Sequence, residues 1–199
     1  MPQMHRSPHD PPATRTVWVT TRPLDVEAFA RFGSVLAPQG ERRPIDLYGG
    51  SIDVYRGGPI DADVPVEFLI SRSSVREFRV NFLERHMLLA QSFFPLAGGG
   101  FISVVAAPDA ALTEHGIPGF DEIHAFLVPP ACGITLHRGT WHEPPYPLGD
   151  GSIRLTTSHA DLSAGLESAL NDRGEIDALD VDKRNVTERS GVVVRIALP

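Results

Sequence analysis

Phe82-Leu83-Glu84-Arg85-His86-Met87-Leu88-Leu89-Ala90-Gln91-Ser92-Phe93-Phe94-Pro95-Leu96-Ala97-Gly98 sets two charged residues and a histidine side by side in an otherwise apolar run. Such groups are costly to bury unless they are paired, hydrogen-bonded or put to use. A second stretch of the same character follows at Gly133-Ile134-Thr135-Leu136-His137-Arg138-Gly139-Thr140-Trp141-His142-Glu143-Pro144. The expectation is a fold that brings these two stretches together.

Working outward, Phe78 to Leu83 reads as a strand leading into the first stretch, and Gly98-Gly99-Gly100 as a sharp turn leaving it. Phe101 to Ala107 is the most apolar run of the chain and predicts a fully buried strand. Ile123 to Val128, Gly133 to His137 and Ser152 to Ser158 are further strands, with loops at Pro108 to Pro118 and Pro144 to Gly151. Upstream, Val17 to Thr20 is a weak strand. Pro23 to Gly33 is a short helix, with Asp25 as cap, Phe29 and Phe32 on one face and Gly33 at its end. Val35-Leu36 leads into the sheet, and a loop spans Gly40 to Pro44. Asp46 to Arg56 and Val66 to Arg72 hold two more strands, separated by Gly57-Gly58-Pro59. Leu162 to Arg189 is polar, with a weak helical pattern around Leu166 and Leu170, and Val192 to Ala197 is a closing strand. Many short strands with Gly and Pro turns predict a mainly β sandwich or small barrel with a short N-terminal helix. Such barrels bind ligands in their mouth or interior.

Composition narrows the function. The 199 residues, 42% hydrophobic, suit one domain with a substantial core. A net charge of −7 gives no basic field for nucleic acid or an acidic membrane. No apolar run approaches the ~20 residues of a membrane span. The single cysteine, Cys132, excludes an intrachain disulfide framework and suggests a small buried residue. The polar, Pro-rich segment 1–15 lacks a signal-peptide core, so the expectation is a loose leader on a cytoplasmic protein.

The first stretch can be written Glu84-x-His86, four residues, Gln91, six residues, Gly98. That spacing resembles the first cupin metal motif, with Glu84 in place of its first histidine and Gln91 in place of its glutamate. Glu84 and His86 are two apart on a strand and point to one face. His137 takes the place of the second motif's histidine, at a looser spacing. Two imidazoles and a carboxylate, with Gln91 as a weak fourth donor, are a ligand set for a divalent ion. Without metal, the same set is an acid–base pocket. The plainer alternative is a group of hydrogen-bonded core polars. Arg85 and Arg138 each adjoin a histidine and are candidate carboxylate clamps, although alternation turns Arg85 to the other face unless the strand bulges. Phe93 and Trp141 read as pocket wall or core, and His142 and Glu143 as site or rim. His115, His124 and His159 read as solvated or core histidines.

Leu83-Glu84-Arg85-His86, Gln91 to Leu96 and the His-Arg-Gly-x-Trp-His core of the second stretch together resemble the ureidoglycolate lyase family, also called ureidoglycolate hydrolase. Pro23 to Leu36 and the valine run after the triple glycine are similar to it too. The resemblance covers residues 17 to 158. It implies a cupin-like β-barrel of jelly-roll type over 16–160, with a C-terminal extension, 161–199, packed on the barrel. It also implies a homodimer and a role in allantoin and purine breakdown. The implied reaction splits ureidoglycolate into glyoxylate and urea by acid–base catalysis, with no redox cofactor required and a divalent metal ion as an option at Glu84, His86, Gln91 and His137. On this reading His86 and His137 transfer protons and Glu84 tunes one of them. Arg85, Gln91, Arg138, Trp141, His142 and Phe93 bind the substrate. The chain departs from the family pattern at Val54, Glu143 and His159. The alternatives are another cupin enzyme acting on a small acid, an oxygenase or isomerase, and a non-catalytic small-molecule-binding cupin.

Overall fold

The structure is a computed structural model that describes residues 15–38, 44–160 and 170–199. The expected leader, apart from Arg15, most of the Gly40 to Pro44 loop and the helical pattern at Leu166 lie outside the described residues. The strands are β1 Arg15–Pro23, β2 Gly33–Leu36, β3 Ile45–Leu47, β4 Ile52–Val54, β5 Val66–Ser73, β6 Arg79–Val80, β7 Phe82–His86, β8 Ser92–Ala97, β9 Phe101–Ala106, β10 His124–Val128, β11 Gly133–Leu136, β12 Trp141–Pro147, β13 Ser152–His159, β14 Ile176–Asp177, β15 Val181–Asn185 and β16 Val192–Ala197. Among the described residues two short α-helices, α1 Val26–Phe29 and α2 Val186–Ser190, and a 3-10 turn at Phe120–Glu122 accompany them. The mainly β expectation holds.

The larger sheet runs β14-β15-β7-β12-β9-β10-β1-β16-β6. Its curl follows from connectivity. Only Asn81 separates β6 from β7 in sequence, yet five strands lie between them in the sheet. Laid flat, strands about 4.8 Å apart would put β6 about 29 Å from β7. One intervening residue spans at most about 7 Å between Cα atoms. The run from β7 to β6 therefore closes towards itself as a barrel. Val19, Val80, Leu83, Ile102, Val104, Trp141 and Val194 form one buried cluster, contributed by strands all round this run.

A second sheet, β2-β11-β8-β13-β5, packs through another cluster: its Phe93, Ile134 and Leu136 meet Phe101, Val105 and Phe126 of the larger sheet. Strand β9 thus has apolar layers on both faces, with Val104 in one and Val105 in the other. This is why all six of its residues are buried and why it reads as a continuous apolar run.

The expected helix shrinks to a single turn. Asp25 does cap it, accepting from the Ala28 amide at 2.8 Å, and Phe29 and Phe32 pack on Phe126. Gly33, however, opens β2 rather than ending the helix. A Cβ at Gly33 would stand 2.0 Å from the Thr135 carbonyl oxygen on β11. We therefore expect Gly33→Ala to destabilise the fold by about 2 kcal/mol, since backbone on both strands must give way. Urea unfolding midpoints at unchanged slope would measure this.

The loop expected from Pro144 is instead the second half of β12. Its register shifts between Glu143 and Tyr146, and Pro144 sits at that irregularity, where no ladder donor is needed. Past residue 170, β14 and β15 form a hairpin whose β15 pairs with β7, and β16 pairs in parallel with β1.

Candidate active site

Alternation on β7 decides the site. Leu83 belongs to the cluster within the curled sheet and Arg85 covers the Trp141 ring at 4.3 Å. Glu84 and His86 point the other way, towards the second sheet. On β12, His142 lies directly opposite Glu84 in the register, so it shares their face. Glu84, His86 and His142 thereby bring three donor atoms within 4.8 Å of one another. The two imidazoles stack with centroids 5.6 Å apart, and Phe93 on β8 meets His142 edge-on at 5.8 Å. The wall formed by Phe93 comes from the second sheet, so the site lies between the layers.

His142 has its tautomer fixed. Its Nδ1 is 3.0 Å from the Thr140 carbonyl oxygen, which can only accept, so the proton is on Nδ1. The Nε2 lone pair then faces Glu84 Oε1 at 3.7 Å. Burial pushes the imidazole down to about 4, with His86 adding to the effect and Glu84 and the Thr140 carbonyl opposing it. The ring is therefore neutral near pH 7. His142 Nε2 and both ring nitrogens of His86 are buried without a hydrogen-bond partner among the described residues. A carboxylate and a lone-pair nitrogen facing each other at this distance, with no donor between them, suit a cation. Two imidazoles and a carboxylate are a common set for a divalent ion, and a histidine held through its other nitrogen by a carbonyl is the usual supporting arrangement. The residues present fit a metal.

Several expected residues lie elsewhere. His137 is exposed just beyond β11, where its Nε2 meets the Ala30 carbonyl at 3.1 Å at the end of α1. It is not one of the three clustered donors; the histidine five residues on is. Arg85 is held by Asp182 at 2.9 Å, on the face away from Glu84, because β7 does not bulge there. Arg138 pairs with Asp61 and Asp63, which hold the 61–63 segment beside Leu88 to Ala90. Trp141 is fully buried in the cluster within the curled sheet rather than facing the site. Gln91 is buried one residue before β8, with Oε1 lacking a partner among the described residues.

One residue joins the site that the sequence did not mark for it. Asp180, before β15, places Oδ2 3.7 Å from His86 Nδ1 and 3.5 Å from His159 Nδ1. Burial opposes ionisation of this carboxyl, but His86, the Leu88 amide and His159 together outweigh it and hold Asp180 below the usual range. The departures from the family pattern are also located. Val54 is on the exposed β3–β4 hairpin. Glu143 faces away from His142 and ties Arg76 to the Asn81 amide. His159 stands beside Asp180.

A family-wide sequence profile described as ureidoglycolate lyase matches residues 16–163. The chain belongs to the ureidoglycolate lyase family. The "Ureidoglycolate lyase" of Pseudomonas paraeruginosa is 34% identical over 127 residues, covering 61% of this chain and 72% of the relative. That of Azotobacter vinelandii is 32% identical over 139 residues, covering 66% and 79%. RmlC from Streptococcus suis, solved in complex with dTDP-D-xylose, aligns with a TM-score of 0.29 and 14% identity over 50% of this chain and 47% of that one. For a member of the ureidoglycolate lyase family, the matched segment holds all three clustered donors, whereas Asp180 lies beyond its end.

Proposed function

We propose that the protein cleaves ureidoglycolate to glyoxylate and urea, with Glu84, His86 and His142 as the reacting centre. The observation that carries this is the convergence of those three donors within the family-matched segment. The net chemistry is small. The hydroxyl proton leaves, the carbonyl of glyoxylate forms, the carbon–nitrogen bond breaks, and a proton arrives on the departing ureido nitrogen. One group can carry that proton from oxygen to nitrogen. The Glu84 side chain is 19% exposed, against 6% for His86 and 2% for His142, so it is the member that meets a substrate. In this reading the Glu84 carboxylate takes the hydroxyl proton and returns it to nitrogen, and the two imidazoles frame it. If a divalent ion is bound, Glu84, His86 and His142 hold it, and it supplies Lewis-acid polarisation of the substrate hydroxyl.

The substrate's carboxylate needs a cation, and Arg85 and Arg138 are engaged elsewhere. Arg154 supports an alternative. On β13 it shares a face with Thr156, which pairs with Phe93, and Phe93 meets His142. Arg154 is buried, donates through Nη2 to Ser73 at 2.7 Å, and keeps Nη1 without a partner among the described residues. Arg154→Met is expected to raise KM about tenfold or more with a smaller change in kcat, as for a lost charge-assisted contact.

We further infer a homodimer working in the cytoplasm in allantoin and purine breakdown. The dimer reading is supported by edge strand β5, where Val66, Phe68 and Ile70 expose one apolar row. The function is tested by incubating the purified protein with racemic ureidoglycolate, with and without added divalent ions, and measuring urea and glyoxylate. Equimolar release of both is expected. Binding without turnover under either condition would overturn the reading.

A further inference from the structure

We propose that Asp180, delivered by the β14–β15 hairpin beyond the family-matched segment, is a positioning residue that fixes the His86 ring for the reaction. This rests on Glu84, His86 and His142 being the reacting centre. Strand β15 runs antiparallel to β7 with Val181 opposite His86 and Lys183 opposite Glu84. The hairpin therefore pairs with the strand that carries two of the three clustered donors.

Two hydrogen bonds hold Asp180 at the end of β7. Its carbonyl oxygen accepts from the Met87 amide at 2.8 Å, and its Oδ1 accepts from the Leu88 amide at 2.8 Å. The remaining oxygen, Oδ2, lies 3.7 Å from His86 Nδ1 and 3.5 Å from His159 Nδ1, with no hydrogen-bond partner at closer range among the described residues. The residue is 4% exposed. A buried, doubly anchored carboxylate oxygen shared between the Nδ1 atoms of His86 and His159 selects, in the His86 ring, the tautomer with its proton on Nδ1. That leaves the Nε2 lone pair of His86 for the site. The Thr140 carbonyl imposes the same choice on His142 through its Nδ1. Both imidazoles are then held from behind, one by a backbone oxygen inside the matched segment and the other by a side chain outside it. Carboxylates and carbonyls in this position orient the ring and set its basicity.

The discriminating variant is Asp180→Asn. Its amide oxygen still accepts from Leu88, so the turn after β7 is kept, but the amide group facing His86 becomes a donor and favours a proton on Nε2. The readout is the nitrogen-15 shift pattern of His86 in metal-free protein, together with steady-state kinetics. Wild type is expected to show an Nδ1-protonated ring and Asp180→Asn an Nε2-protonated one, with kcat down about tenfold or more and KM little changed. As a control, Asp182→Asn breaks the pair that Asp182 of β15 makes with Arg85 across on β7, and is expected to lower stability without changing kcat. If Asp180→Asn leaves both the ring pattern and kcat unchanged while Glu84→Gln abolishes turnover, the centre is right and Asp180 is only a strand anchor. If Glu84→Gln retains turnover, the centre is misassigned and the proposal falls with it. Should Asp180→Asn fail to fold, an Nε2-protonated His86 in wild type overturns the proposal and an Nδ1-protonated one sustains it.

Discussion

Glu84→Gln is expected to lower ureidoglycolate turnover by about 10²-fold or more, the usual size of a general acid–base contribution. The substitution keeps the side chain's length and its place opposite His142 on β12, but the amide cannot take the hydroxyl proton. It also places a neutral group 3.7 Å from the His142 Nε2 lone pair, weakening any cation held there. Folding is expected to survive, because the group is partly exposed and no hydrogen bond to it need be lost. The assay is initial rates of urea release at saturating substrate, with near-ultraviolet circular dichroism as the folding check. If rates stay within about threefold of wild type, Glu84 does not carry the proton. Metal content measured on the same samples separates the two uses of the cluster. A metal-free variant from a metal-loaded wild type marks Glu84 as a ligand, whereas equal content with lost turnover marks it as the proton carrier.

The parts of this site legible in sequence were those carried by alternation within one strand. Glu84 and His86 share a face because they are two apart, and Arg85 is turned away for the same reason. The fully buried β9 could be read from its unbroken apolar run. The second histidine could not be chosen that way. His137 and His142 both lie in the second stretch, and what separates them is the end of β11 at Leu136 and the cross-strand register of β12 with β7. The prolines that made β12 look like a loop are absorbed at its irregularity, so the strand carrying His142 was hidden. Asp180 was less visible still. Its role depends on β15 pairing with β7 across almost a hundred residues of chain, and nothing in the polar segment around it marks that pairing.

The buried His142 also predicts how the protein responds to acid. Burial lowers its pKa from 6.5 to about 4, so between those values the unfolded chain binds a proton that the folded chain refuses. Stability is therefore fully present above about pH 6.5, is lost as pH falls, and levels off below about pH 4. At about 1.4 kcal/mol per unit of pKa, the loss comes to about 3 kcal/mol. Other groups add their own slopes. Glu143, pushed up to about 7 by burial against the opposing pull of Arg76, works in the opposite sense, since its ionisation in the folded state is disfavoured as pH rises. The His142 contribution is isolated by comparing wild type with His142→Gln in urea titrations from pH 4 to 7, with a chelator present so that only protons bind. The difference between the two proteins should shrink or reverse as pH falls, because only wild type pays for keeping a buried imidazole neutral. A parallel pH titration of the His142 ring by proton NMR should give a midpoint near 4. A midpoint at 6 or above, with parallel urea curves, would mean that the ring is solvated and that the gap between the sheets is open to water around it.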